Sequence, residues 1–151
     1  MYKEFSTPLV NTYLYDIEPI SSPDEAKKWI DLYTQEEPRN QHRWIIILKA
    51  TNEKIGTCGF HLWDRVNKNI EIGYDLQPDY WRKGYMSEAL EAIINFAKTE
   101  MQISSIIAHI AEGNIASIKI ATKLGFYQTE TTYFEEFHGE KYLHLVYQLD
   151  L

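Results

Sequence analysis

The period of the apolar residues changes abruptly around Gly84, and that change limits the folds open to this chain. Before it, "NIEIGYDL" at 69–76 alternates with period two, placing Ile70, Ile72, Tyr74 and Leu76 on one strand face and Glu71, Gly73 and Asp75 on the other. After it, Met86, Ala89, Leu90, Ile93, Ile94 and Ala97 follow the spacing of a single helical stripe. A strand therefore runs through a short loop, "QPDYWRKG", into a helix N-terminus. Such a junction presents backbone N–H groups with no intrahelical acceptor, where the helix dipole favours negative charge. Gly84 lets a ligand approach without a Cβ in the way, and Arg82 and Lys83 add positive charge just before it. The same residues also suit a plain strand-to-helix turn with two solvated basic side chains.

The remaining segments extend this pattern. "SSPDEAKKWIDLYTQE" predicts a helix at about 23–36, with Ser22 as N-cap, Pro23 at the first helical position and Asp24 and Glu25 in the first turn. "RWIIILKA", "KIGTCGFHLW" and "NIEIGYDL" read as consecutive antiparallel strands. "SSIIAHIA" reads as a buried strand, and "GNIASIKIATKLGF" as a shorter helix with Asn114 as N-cap and Gly125 at its stop. Two last strands, about 126–136 and 141–149, are joined through "HGE" as a hairpin. The expected order is helix, three strands, helix, strand, helix, two strands, an α/β (α+β) arrangement. At 151 residues, 1–151 suits a single domain.

Charge and cysteine content narrow the function classes. With 22 acidic and 15 basic residues the formal charge is -7, which argues against nucleic acid or anionic lipid as a partner and suits small cationic substrates. No segment approaches the roughly 18 apolar residues of a membrane span, and the N-terminus does not read as a secretion signal, so a cytoplasmic protein is expected. Cys58 is the only cysteine, which leaves no intrachain disulfide and no cysteine cage; in "KIGTCGFHLW" it suits a small packed side chain. The five histidines lack a metal-binding spacing, and no metal is expected. His61, on a strand near the loop, is a candidate substrate contact. The aromatic sets "YLYD" and "TTYFEEF" suit core or interface better than a binding box.

Neither common phosphate loop is present, because "WRKGYMSEA" lacks both Gly-Lys-Ser/Thr and Gly-x-Gly-x-x-Gly. Four segments in order, "IGTCGF", "IEIGYDLQPDYWRKGYMSEAL", "GNIASIKIATKLGF" and "HGEKYLHLVYQL", instead resemble the GNAT superfamily of N-acetyltransferases, in its branch similar to the ribosomal-protein-alanine acetyltransferases. The resemblance covers about residues 20–149. The family's pyrophosphate loop, Gln/Arg-x-x-Gly-x-Gly/Ala, becomes Trp81-Arg82-Lys83-Gly84-Tyr85-Met86 here, keeping the central glycine and changing both ends. It implies a GNAT fold whose mostly antiparallel sheet splays between the "GYDL" and "SSIIAHI" strands to form a slot for acetyl-CoA. The backbone N–H groups of Arg82, Lys83, Gly84, Tyr85, Met86 and Ser87 would hold the pyrophosphate. Leu76 would offer backbone groups to the pantetheine and thioester, and Asn114 would help hold the cofactor arm.

Acetyl transfer to a primary amine needs a route for the amine proton and a donor for the departing thiolate. The tyrosine that many members carry as thiolate acid falls here on Ala121, so Ser117 takes that place by resemblance. Glu71 is the implied base, acting through water, if partial burial raises its pKa towards neutrality. A solvent-facing strand glutamate is the plainer alternative. The branch usually begins with an Arg-Leu-x-Leu-Arg strand that "MYKEFSTPLVNTYLYD" does not contain, so the chain is expected to start inside that element. An open sheet edge would invite pairing, making a homodimer a candidate. The expected acceptor is a protein N-terminal amine; a polyamine or amino-sugar, or a non-catalytic acyl-CoA-binding module, are the rivals.

Overall fold

Short-range sequence signals and the elements that form agree closely. A computed structural model describes residues 2–15 and 18–151. Two short helices, α1 (Tyr2–Phe5) and α2 (Pro8–Asn11), precede α3 (Pro23–Tyr33). Three strands follow, β1 (His42–Leu48), β2 (Glu53–Asp64) and β3 (Asn69–Leu76), then a 3-10 turn at Pro78–Tyr80 and α4 (Tyr85–Thr99). The chain ends through β4 (Ser105–Ala111), α5 (Ile115–Lys123), β5 (Tyr127–Phe137) and β6 (Glu140–Asp150). Ser22 caps α3 by accepting from the Glu25 amide at 3.2 Å. That helix stops at Tyr33 rather than near 36, because Glu36, Glu37 and Pro38 oppose its continuation: acidic residues suit a helix C-terminus badly, and a residue before proline avoids the α region.

The strands form one sheet in the order β1-β2-β3-β4-β6-β5, antiparallel except at β3–β4. That parallel pair is short. Asn69 faces Ser105, Ile70 faces Ile106 and Glu71 faces Ile107. Beyond Glu71, β3 stays on β2 as far as Leu76 opposite Gly56, while β4 stays on β6 as far as Ala111 opposite His144. The two strands part company there, opening the expected slot. Among the described residues no strand precedes β1, so β1 is a sheet edge, with Ile45 and Ile47 exposed on it.

One face of the sheet is covered by α4. Ile70 and Ile72 from β3 pack with Met86, Leu90, Ile93 and Ala97 from α4, and with Phe60, Ile106, Ala108 and Ile110 from neighbouring strands. Burying each of the larger side chains contributes about 1.5–3 kcal/mol. Cys58 belongs to this core at 2% exposure. Burial pushes its thiol up to about 11, which suits packing rather than reactivity. On the opposite face Phe5, Ile20 and Ala26 form a smaller cluster with Leu14 and Trp29. The Arg43 guanidinium lies 5.7 Å from the Phe5 ring centre and 5.9 Å from that of Tyr33, tying α1 and α3 to that face. Among the described residues no helix is long and apolar enough to cross a membrane.

Candidate active site

Three local features meet at the slot, and the first is the start of α4. Gly84 occupies the N-cap in the left-handed region, at φ 85, with no side-chain capping bond. The Glu88 amide is already bound by the Gly84 carbonyl at 3.1 Å, whereas the first-turn amides of Tyr85, Met86 and Ser87 precede any intrahelical acceptor. Arg82 is also left-handed, at φ 60, a backbone conformation of the kind from which anion nests are built. A Cβ built on Gly84 meets nothing within 4 Å, so the glycine opens space over the helix end. The loop is tied back to the strand by the Trp81 indole N–H, which donates to the Leu76 carbonyl at 2.7 Å. Lys83 Nζ sits 5.5 Å from the Tyr80 ring centre. These residues fit a pyrophosphate.

The second feature flanks the slot on the α5 side. Asn114 is the N-cap of α5, its Oδ1 accepting from the Ser117 amide at 3.1 Å. From β3, the Tyr74 hydroxyl reaches across and donates to the Ser117 carbonyl at 3.4 Å. Burial pushes the Tyr74 phenol up, against a smaller pull from that hydrogen bond, so it is a protonated donor at neutral pH. Ala121 is buried and offers no polar group. Sequence reading placed Tyr74 only in the apolar stripe, since alternation reveals a face and not what a hydroxyl touches.

The third feature lies on the other sheet face, at the vertex where β3 and β4 separate. The Glu71 carboxylate accepts from His61 on β2 at 3.2 Å through Oε2 and from His109 on β4 at 3.4 Å through Oε1. Burial pushes the Glu71 carboxyl up, but the hydrogen bonds from His109 and His61 outweigh it and leave it at about 2. The condition set for a base, a value raised towards neutrality, is therefore not met: burial acts in that direction, and two imidazoles reverse its effect. His109 meets the Tyr133 ring edge at 5.4 Å, and Tyr133 stacks on His144 at 5.1 Å. Tyr15 stacks on Tyr142 at 3.6 Å and lies 6.4 Å from the Phe137 ring, so "YLYD" and "TTYFEEF" meet on this face; Asp16 of the first lies outside the described residues. A cleft lined by Tyr15, Ala111, Glu112, Gly113 and Tyr142 opens at the end of β4. Among the described residues no group of three or more His, Cys, Asp or Glu is arranged to hold a metal ion.

A phosphate-ready helix start opposite a split parallel pair suits a CoA ester, and comparison with known families decides the matter. A family model described as an acetyltransferase (GNAT) domain matches residues 1–127. The chain belongs to the GNAT acetyltransferases. An uncharacterized N-acetyltransferase, p20, from Bacillus licheniformis is 37% identical over 123 residues, 81% of this chain and 68% of that protein. The ribosomal-protein-serine acetyltransferase of Escherichia coli is 25% identical over 107 residues, 71% of this chain and 59% of that protein. A spermidine N-acetyltransferase from Vibrio cholerae, solved with CoA and spermine, superposes with TM-score 0.85 at 16% identity, over 99% of this chain and 86% of that one. At that identity the likeness establishes the fold alone. The protein is thus an acetyl-CoA-dependent N-acetyltransferase with the GNAT fold.

Within this GNAT enzyme the slot-side end of β3 rests on a charged network that sequence reading missed. Asp75 is 9% exposed and lies against Arg43 of β1. The Thr57 hydroxyl donates to Asp75 Oδ2 at 2.5 Å, and Arg43 Nε donates to Thr57 at 2.6 Å. Burial opposes the Arg43 charge, but Asp75 and Tyr33 together outweigh it and hold the guanidinium above its usual value. Asp75 Oδ1 is buried without a hydrogen-bond partner among the described residues.

The depressed Glu71 value predicts a pH dependence of stability. A carboxyl whose folded value is about 2, against 4.5 ordinarily, contributes stability that is fully present above about pH 4.5 and lost as pH falls through about 2. Glu71→Gln should therefore melt below the native protein at pH 7, with the gap closing as the pH is lowered from about 4.5 towards 2. Thermal melts of both proteins across that range check it; a gap constant with pH would show that Glu71 is not held ionised by the histidines.

Proposed function

We propose that this acetyltransferase moves the acetyl group of acetyl-CoA onto a protein N-terminal amine, by direct attack in a ternary complex. The observation that carries the reading is the uncapped α4 N-terminus at the mouth of the β3–β4 split, backed by an imidazole and carboxylate cluster on the opposite face. Acetyl-CoA supplies the activated thioester. The amides from Arg82 through Lys83, Gly84, Tyr85 and Met86 to Ser87 bind its pyrophosphate, and Leu76 and Asn114 orient the arm between β3 and α5. Ser117 donates towards the departing sulfur, with the better acid Tyr74 bound to its carbonyl. Glu71 supplies the negative charge that receives a cationic acceptor, while a carboxyl at about 2 is a poor match for an amine proton.

The N-terminal acceptor is supported by the ribosomal-protein-serine acetyltransferase among the relatives. A polyamine acceptor is the second reading, favoured by the formal charge of -7 and by the spermidine acetyltransferase among the structural neighbours. Release of CoA thiol from acetyl-CoA, followed over N-terminal peptides, polyamines and amino-sugars, tests both. Turnover on peptides alone supports the first and turnover on polyamines alone the second. Tight acetyl-CoA binding without turnover on any amine would make the chain a binding module and sink the catalytic roles.

A further inference from the structure

The cluster around Glu71 contains a second group with a nitrogen free to take an amine proton. His61 Nε2 is directed at the Glu71 carboxylate at 3.2 Å, which leaves Nδ1 on the other side of the ring. That side lies over Gly73, where an added Cβ would stand 3.4 Å from His61 Cε1 and 3.8 Å from Nδ1. Gly73 belongs to the part of β3 that has left β4, so the bare backbone beneath Nδ1 borders the open slot. The strand is also irregular immediately after His61. The β2–β3 register shifts between His61 and Asp64, and Leu62, a branched residue, is left-handed at φ 51. Bulges of this kind re-aim side chains and recur beside active sites.

We infer that His61 is the catalytic base of the acetyl transfer, and that Glu71 is the positioning residue that fixes its ring with Nδ1 turned to the acceptor. The inference rests on the acetyl-transfer reading above. His61 Nδ1 accepts the N–H proton of the acceptor nitrogen as that nitrogen bonds to the thioester carbon and the carbon–sulfur bond breaks. The sulfur leaves as CoA thiol, taking a proton from the Ser117 hydroxyl, which regains one from water. His61, with its side chain 40% exposed, returns its proton to water. A neutral imidazole that donates from Nε2 is an acceptor at Nδ1, which is the state this step needs. The charged and titratable groups around it are Glu71 on β3, His109 on β4 with Tyr133 of β5 against it, and Arg43 of β1, whose Nη1 lies 3.7 Å from the Gly73 Cβ position and whose charge is paired with Asp75.

Steady-state kinetics of the intact protein, His61→Gln and His61→Ala, with an acceptor the native enzyme uses, test this directly. Loss of a general base predicts a fall in kcat of about 10²–10⁴-fold with the acceptor KM little changed. Because the acceptor's own titration is common to all proteins, the pH limb that the native enzyme shows and His61→Gln lacks belongs to His61. Added imidazole should restore part of the kcat of His61→Ala and leave Glu71→Gln unaffected. Independently of turnover, ¹⁵N spectra of the imidazoles should show His61 in the Nε2–H form in the native protein and a mixture of tautomers in Glu71→Gln. Native-like kcat in His61→Gln, or an Nδ1–H tautomer in the native protein, overturns the assignment while leaving acetyl transfer intact. Absence of turnover by the native enzyme on every amine overturns the acetyl-transfer reading, and this assignment with it.

Discussion

Gly84→Val should lose acetyl-CoA affinity by on the order of 100-fold or more while the protein still folds. A built Cβ at Gly84 meets no protein atom within 4 Å, so the substitution does not clash with the core; its bulk enters the space over the first-turn amides. At φ 85 a β-branched residue is also strained by roughly 1–2 kcal/mol, and relief of that strain swings those amides away. Losing one or two charge-assisted bonds of about 1.5–3 kcal/mol each is enough for the expected factor. Gly84→Ala should show the same effect at reduced size. Isothermal titration with acetyl-CoA, paired with a thermal melt, separates binding from folding. An unchanged dissociation constant in a folded Gly84→Val protein would remove the pyrophosphate from this loop.

Arg43→Met is expected to have the largest effect on stability. Removing one partner of a buried ion pair costs about 3–5 kcal/mol, because the remaining charge stays in a low-dielectric site. Asp75 is 9% exposed and already has one oxygen without a partner among the described residues, so without Arg43 only the neutral Thr57 hydroxyl is left beside a buried charge. In a domain of this size the loss corresponds to a fall in Tm of about 10 °C. The same change withdraws the guanidinium from the Phe5 and Tyr33 rings and loosens α1 and α3 from the sheet. The double variant Arg43→Met with Asp75→Leu should recover most of the loss, since an apolar pair of similar volume carries no unpaired charge. If Arg43→Met melts like the native protein, Asp75 is not held in place by Arg43.

What the sequence made legible was whatever depends on near neighbours along the chain. The alternation at 69–76 put Ile70 and Ile72 in the core and Glu71 on the opposite face. The helical stripe from Met86 to Ala97 marked α4, with Gly84 at its head, and Asn114 and Ser22 are caps as expected. The charge state of Glu71 was beyond reach, because it depends on His61 and His109, which arrive from strands on either side only once the order β2-β3-β4 is set. Arg43 and Asp75 are 32 positions apart and meet across β2 through strand register, which no local pattern encodes. Tyr74 and Ser117, 43 positions apart, meet across a gap that exists only because the parallel pair ends at Glu71.

The brevity of that pair has a mechanical consequence. The sheet consists of two three-stranded plates, β1-β2-β3 and β4-β6-β5, riveted by three residue positions at one end. Past the rivet, the facing edges of β3 and β4 each carry the main-chain hydrogen-bonding groups of an interior strand with no strand opposite them. An edge of that kind accepts any extended molecule with amide groups at the right intervals, peptide or not. A ligand laid there fills the place of an absent strand, and it stiffens the joint between the plates as it binds.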